Sequence, residues 1–409
     1  MTVYDRWHKS HPKPGDPKCS EHGRTPTIDH GKGERWQVRW RDDRGEQRKR
    51  NFTKRSAADT FDAKTKSDLS SGQYVDAARG KVKFREFAEQ WRTSQVHRES
   101  TVTLVDRALR IHVYPVLGEQ TIASVRPGHV QTLIRRCSEE LAPSTVHVLY
   151  GYVSSIFLAA VRDRVIGHSP CVGIRLPAPE TKKVTPLDVQ TVMALANAVP
   201  ARYRAIVLTA VGTGLRPSEI FGLEIGKIDL QRRILKVEQQ LITSAAKGNE
   251  VYLGPPKTPK SHRTIPLSGS VTTILATHLE EFPATAVEII DRINPRQPVL
   301  REAELMFTTS RGTPIKRGTW SDIWRLAADT VGIPQGTGLH VCRHTYASAL
   351  IRYGESVKTI QHLLGHSSAV TTLNIYAHLW PDADDRARAA VDSVFADVPS
   401  MCPEPEAGR

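Results

Sequence analysis

Leu339-His340-Val341-Cys342-Arg343-His344-Thr345-Tyr346, then Leu363-Leu364-Gly365-His366, then Leu373-Asn374-Ile375-Tyr376-Ala377-His378 are the stretches around which this chain is organised. In the first, His340, Arg343 and His344 stand three and four residues apart, so a helix running through Leu350 carries all of them on one face. Ala347, Leu350 and Ile351 continue an apolar flank towards a helix end at Gly354. A single residue of this kind reads as a satisfied histidine or a solvated arginine. Here the donors cluster without a carboxylate among them, further histidines follow, and the run ends on a tyrosine. That set suits an anion, phosphate above all.

Composition agrees. The chain has 409 residues, enough for about two or three domains and a sizeable core. Its formal net charge is +14 and its pI ≈ 9.6, which points to a polyanionic partner. No apolar run reads as long enough to span a bilayer and no signal-peptide core is evident, so a cytoplasmic protein without a membrane partner is expected. Cys19, Cys137, Cys171, Cys342 and Cys402 are odd in number and scattered, as reduced thiols are.

Residues 1–30, rich in Pro, Gly, His and charge, read as a mobile basic arm. His8, His11, Cys19 and His22 have a paired spacing that could hold zinc, but one thiol and a short gap between the pairs favour incidental histidines. In 31–78, Arg35-Trp36-Gln37-Val38-Arg39-Trp40-Arg41 alternates basic with apolar residues, Asp43-Arg44-Gly45 turns, and Gln47 to Phe52 returns as a second strand. Ser56 then caps a helix with Ala57, Phe61 and Leu69 inside. A small sheet backed by a helix results. Its basic ribbon, with Arg35, Trp36, Arg39, Arg41, Arg48, Lys49 and Arg50, fits DNA binding better than a merely solvated face.

Residues 81–176 have a helical texture. Phe84, Phe87, Ala88 and Trp91 mark one helix; Ser100 caps a second that carries Leu104, Ala108 and Ile111 and ends before Pro115. Val130, Leu133 and Ile134 mark a third, and Pro143 opens a fourth with Val146, Leu149, Val153, Ile156, Phe157 and Ala160 inside. The Pro-rich 177–186, with Lys182 and Lys183, reads as a linker to a domain over 187–396, and 397–409 as a disordered tail.

In that last domain Ile206, Val207, Ala210 and Val211 form a buried helix stopped by Gly212-Thr213-Gly214, and Pro217 starts another. Arg216 therefore sits at a helix N-terminus, where a cation is unwelcome unless an anion also binds. Glu219 either anchors that guanidinium or complements the helix dipole. Arg233 to Ile242 and Glu250 to Leu253 read as strands around a Lys247-Gly248-Asn249 turn, and Arg263 to Leu267 as another. In the loop between them nothing separates Lys257 from Lys260.

Together these residues resemble the tyrosine recombinase (phage integrase) family, whose Gly-Leu-Arg-x-x-Glu stretch, hairpin lysine, His-x-x-Arg, Leu-Gly-His and C-terminal tyrosine occur in that order over Val184 to Leu379. The upstream parts also resemble the family, in particular actinobacterial phage and plasmid integrases. The resemblance implies a multidomain α+β fold: a small N-terminal three-stranded sheet plus helix that binds arm sites, a helical core-binding domain, and a mainly α catalytic domain with a small antiparallel sheet. It implies that Arg216 and Arg343 hold the scissile phosphate, that Lys257 protonates the leaving 5′-hydroxyl, that His340 and His366 assist, and that Tyr376 attacks, with Glu219 behind Arg216. Val341-Cys342 departs from the family's usual Asp-Leu, at positions facing away from the phosphate. The function implied is site-specific integration and excision of a mobile element through a 3′-phosphotyrosyl intermediate. The expected partners are double-stranded core and arm attachment sites, a homotetramer on DNA, and an excisionase or DNA-bending accessory protein.

The chemistry is sensible apart from the family. A phenol with a pKa near 10 is a poor nucleophile, so cations must lower the cost of its anion and of the transition state. No acidic metal triad and no phosphate loop of the Gly-x-x-x-x-Gly-Lys type is evident, so neither a metal, ATP nor any other cofactor is expected in catalysis. Two alternatives stand beside this reading: a non-catalytic DNA-binding regulator, which needs neither Tyr376 nor Lys257, and a strand-relaxing enzyme like type IB topoisomerases, which needs no separate arm-binding sheet.

Overall fold

The computed structural model describes residues 2–76, 78–179, 185–244, 248–380 and 384–395. Lys182 and Lys183 of the expected linker, Lys247 of the expected turn and the tail at 397–409 lie outside the described residues. The chain divides into two compact units, Met1–Glu180 and Thr181–Arg409.

The first unit opens with an antiparallel sheet ordered β1 (Thr2–Asp5), β2 (Trp36–Arg41), β3 (Gln47–Phe52), backed by helix α1 (Arg55–Ser70). Strand alternation buries Val38 and sends Trp40 to Phe61 of α1, with ring centroids 5.2 Å apart. The Asp42 carboxylate accepts the amides of Arg44 and Glu46 at 3.0 and 2.9 Å, and Gly45 takes φ 81°, so the hairpin turn is set locally. Two expectations are corrected. The stretch read as an arm apart from the sheet supplies its first strand, Val3 facing Val38 in the register, because β2 would otherwise leave a row of backbone groups unpaired. Ser56 is not a cap: α1 begins at Arg55 with Lys54 before it, and Ala58 rather than Ala57 is buried.

The rest of the unit is helical: α2 (Phe84–Ser94), α3 (Glu99–Ala108), α4 (Tyr114–Leu117), α5 (Pro127–Glu140) and α6 (Pro143–Arg162). Phe84, Phe87, Val105, Leu109, Leu133 and Phe157 are among the side chains that share its core. Leu104 and Ile111, expected inside, are 61% and 52% exposed, and Val105, Leu109 and Val113 point inwards instead. Both stripes are apolar and lie about 100° apart on the helix, so periodicity cannot choose between them. The helix also continues past Pro115. A wide turn at Leu109–Val113, in which the Tyr114 amide bonds to the Leu109 carbonyl, makes room for the proline ring.

Helix α6 is long and apolar enough by length and composition to cross a membrane, contrary to the expectation from sequence. Its Val146, Leu149, Val153, Ile156, Phe157 and Ala160 are buried in the helical core, which accounts for that composition.

The second unit is built around α8 (Ala201–Thr213), against which α7 (Val189–Ala198), α10 (Gly269–Glu281) and α12 (His340–Arg352) pack. Helices α9 (Pro217–Phe221), α11 (Arg317–Val331), α13 (Val357–Leu364), α14 (Ala369–Tyr376) and α15 (Asp384–Phe395) complete the set. One sheet has the order β4 (Ile228–Asp229), β5 (Ile234–Val237), β8 (Arg263–Pro266). The other runs β10 (Val299–Glu304), β9 (Ala286–Asp291), β7 (Glu250–Gly254), β6 (Gln240–Ser244), with β7 and β9 parallel. The single strand expected over Arg233 to Ile242 is therefore two strands in different sheets. Gln239, buried between them, donates to the Gly222 carbonyl and to Glu224, both at 2.7 Å, and breaks the ladder.

Candidate active site

Two glycine-terminated helices set the geometry. Helix α8 ends at Gly214, whose φ of 63° is left-handed and whose Cβ, if present, would lie 2.4 Å from the Tyr346 ring. Helix α13 ends the same way at Gly365, φ 62°. The turns expose backbone carbonyls to two arginines. Arg343 donates to the Gly214 carbonyl at 2.7 Å and to that of Leu364, and Arg216 donates to the Gly365 carbonyl at 3.0 Å. Segments more than a hundred residues apart are thereby tied at one place.

Glu219 does both of the jobs open to it. Its Oε2 accepts the Arg216 amide at 2.9 Å, capping α9, and its Oε1 accepts the Arg216 guanidinium at 2.8 Å. A residue that sequence reasoning missed holds its other side: Arg263 on β8, fully buried, donates to Glu219 at 2.8 and 3.2 Å and to the Leu363 carbonyl at 2.7 Å. The signal was in the strand, where Arg263 and Ile265 alternate inwards and a charged inward residue needs a partner. Burial works against the Glu219 carboxylate, yet Arg263 and Arg216 hold it below the usual carboxylate range.

The other basic groups are each disfavoured in their charged form. Arg343 is 1% exposed, and burial, with Arg216 nearby, pulls it down to about 9. Burial and then the charge of Arg343 and Arg216 take His366 down to about 3. His340 is exposed as a residue, yet the protein packed around it, followed by His344, Arg343 and Arg216, lowers it to about 4. Each basic group is disfavoured by the others, so an anion placed among them would be favoured electrostatically.

Tyr376, the last residue of α14, is fully buried among Ala347, Ile351, Ile360 and Leu364. Its hydroxyl lies 2.7 Å from Nδ1 of His344, a residue placed on the helix face from sequence but given no role there. Burial pushes the phenol up to about 12, with Arg343 opposing. The His340 and His344 rings meet edge to face at 4.8 Å, and His366 Nδ1 is 2.9 Å from the Thr372 hydroxyl. Arg216, His340, Arg343, His366 and Tyr376 are thus gathered with Glu219, Arg263 and His344. Lys257 is exposed, and its loop reaches the site through Ser261, 3.5 Å from Arg216; Lys260 instead donates to the Ser367 carbonyl at 2.9 Å.

In the N-terminal sheet the basic residues sort by face. Arg39, Arg41 and Lys49 are exposed, with Arg39 facing Lys49 in the register and stacked 5.2 Å from Tyr4. Arg48 is bound by Asp42, Glu46 and Asp76 at 3.0, 2.7 and 3.0 Å, and Arg35 by Asp5 at 2.8 Å. Arg50 lies over Phe52 and Phe61, and Trp36 under Arg35 and Arg55.

Residues 182–382 match the phage integrase family and residues 84–176 the phage integrase central domain. The chain belongs to the phage integrase family of tyrosine recombinases. It is 30% identical over 269 residues to a tyrosine recombinase XerC-like protein of Caldanaerobacter subterraneus subsp. tengcongensis, a match spanning 61% of this chain and 66%, just under two thirds, of that one. The integrase of Mycobacterium phage D29 is 22% identical over 328 residues, 78% of this chain and 83% of its own. Among solved structures, the fold is similar to the Tn1549 transposon integrase in complex with a circular intermediate DNA, with TM-score 0.65 and 22% identity over 76% of this chain and 99% of that one. It is also similar to a lambda integrase dimer bound to a COC′ core site, with TM-score 0.55 and 16% identity over 90% and 95%.

In this chain, Glu219→Gln removes the charge that Arg216 and Arg263 share, and is expected to cost on the order of 3 kcal/mol of stability in chemical denaturation. An unchanged midpoint would show that the pair is not needed. The depressed histidines give a second expectation. With folded pKa values below the unfolded 6.5, the unfolded chain binds more protons, so stability falls as pH drops from about 6.5 towards 4. Thermal melts of the DNA-free protein should show a lower Tm at pH 5 than at pH 7.5, and a flatter slope in His366→Asn.

Proposed function

We propose that this chain cuts and rejoins DNA at specific sites through a 3′-phosphotyrosyl bond on Tyr376, integrating and excising a mobile element. The observation that carries this reading is a tyrosine hydroxyl set beside an under-neutralised cluster of guanidinium and imidazole groups. Arg216 and Arg343 each have N–H groups left after their carbonyl contacts, and a scissile phosphate takes them on its non-bridging oxygens. With the Thr372 hydroxyl donating to His366 Nδ1, the Nε2–H of that ring is free to donate to the same phosphate. His344, neutral because burial lowers its basicity, accepts the phenolic proton as the Tyr376 oxygen attacks phosphorus. The leaving 5′-oxygen receives its proton from Lys257, carried in by its loop once DNA fills the site.

The bond energy of the phosphodiester is kept in the phosphotyrosine, so a different 5′-hydroxyl reseals the strand without an outside energy source. The open face of the N-terminal sheet, with Arg39, Arg41 and Lys49, takes arm-site DNA, and the helical module takes core sites. Four copies assemble on two duplexes, with an excisionase or DNA-bending protein setting direction. Val391, Val394 and Phe395 of α15, 55%, 70% and 62% exposed, give a neighbouring copy an apolar surface, while the Arg386 and Ala389 side chains of that helix lie outside the described residues. The enzyme works in the cytoplasm, where its DNA is.

In a suicide-substrate assay on the element's own flanking DNA, Tyr376→Phe is expected to bind its sites and form no covalent adduct, and His344→Ala to form it on the order of 100-fold more slowly. A full yield of adduct from Tyr376→Phe would remove this tyrosine as nucleophile. For the sheet, Arg39→Ala with Lys49→Ala should weaken arm-site binding and reduce the salt slope by about 1 per lost phosphate contact. Arg48→Ala should lower stability instead. Equal effects on DNA binding from both would reject the sorting by face.

A further inference from the structure

Outside the catalytic unit, the strongest unassigned cluster is His8, Cys19, His22 and His30, spaced His8-x10-Cys19-x2-His22-x7-His30. One potential ligand atom from each lies within 4.8 Å of every other. Sequence spacing pairs His8 with His11, but His11 is exposed and outside the cluster, and His30, twenty-two positions from His8, takes the fourth corner.

The distances favour a metal over a hydrogen-bonded thiol. Cys19 Sγ is 3.4 Å from His8 Nε2 and 3.6 Å from His22 Nδ1. A tetrahedron with Zn–S of about 2.3 Å and Zn–N of about 2.0–2.1 Å has S···N edges of about 3.5 Å. A thiol has one proton and satisfies one ring, whereas here three rings converge on one sulfur, with centroids 5.0, 5.1 and 5.9 Å apart. The Nε2 of His30 is buried without a hydrogen-bond partner, the orphan that a metal would satisfy.

The surroundings are those of a built site. His8 is 4% exposed, and its Nδ1 lies 2.9 Å from Asp5 Oδ2, which leaves Nε2 as the ligand nitrogen and reproduces a carboxylate, histidine, metal relay. Asp5 is itself gripped by Arg35 at 2.8 Å. The Cys19–Gly23 turn closes with the Gly23 amide on the Cys19 carbonyl at 3.0 Å and aims the His22 amide at Sγ at 3.3 Å, a donor that favours the thiolate. We propose that Cys19, His8, His22 and His30 bind one structural zinc ion, four-coordinate and closed to substrate, which pins the first thirty residues to the edge strand β1. All four positions are protein side chains, so the site has no open corner for chemistry.

The test uses the full-length protein without a polyhistidine tag. Elemental analysis should find one zinc per chain, and cobalt(II) added to the metal-stripped protein should give intense tetrahedral d–d bands with a thiolate charge-transfer band. Cys19→Ser should abolish the charge-transfer band, His30→Asn should lower zinc affinity at least tenfold, and His11→Asn should leave both readouts unchanged. Wild-type protein that takes up neither metal would overturn the proposal, whatever the variants do. So would loss of zinc in His11→Asn with retention in His30→Asn, which would restore the pairing read from sequence.

Discussion

The structure of the second unit depends on positive charge gathered where water cannot screen it. Arg216, Arg263 and Arg343 are drawn together by carbonyls at two left-handed glycines and by the Glu219 carboxylate, which neutralises only part of them. The protein meets this cost locally by its core and its backbone acceptors. A buried cation kept without a full counter-charge is destabilising, and a bound anion would offset that cost. The depressed histidines are the same fact seen from their side, since His340 and His366 remain neutral until negative charge arrives.

That constraint also explains the tyrosine. Left beside unscreened arginines the phenol would ionise more easily, but burial among Ile351, Ile360 and Leu364 dominates and keeps it protonated. Its partner His344 is neutral for the same reason. The resting site therefore holds a proton on the Tyr376 hydroxyl with His344 Nδ1 2.7 Å away, and an anion that offset the arginines would change the balance of both. Glu219 acts on position rather than on protons. By capping α9 and dividing itself between two guanidinium groups, it fixes where Arg216 points.

Much of this was legible beforehand because the signals of the candidate site are local. His340, Arg343 and His344 share a helix face by spacing alone, Gly214 and Pro217 punctuate two helices as their backbone preferences require, and α6 shows its buried stripe plainly. What was missed depends on long-range partners. Arg263 matters through a carboxylate 44 positions away, and the strand split at Gln239 follows from a side chain reaching Gly222. The inward stripe of α3 was misassigned because two adjacent apolar stripes compete, and the expected three-stranded N-terminal sheet takes its first strand from the segment read as an arm, whose partner lies more than thirty residues on. His30 was overlooked for the same reason, since pairing by sequence proximity chose His11.

The central claim is that the cluster around Arg343 is short of one anion and that a DNA phosphate supplies it. Histidine-selective NMR titration of His340 and His366 in the Tyr376→Phe protein, with and without a core-site duplex, tests it directly. Both rings should titrate well below 6.5 in the free protein and shift upwards when the duplex binds. Rings that titrate at 6.5 or above without DNA, or that do not move on binding it, would contradict the claim.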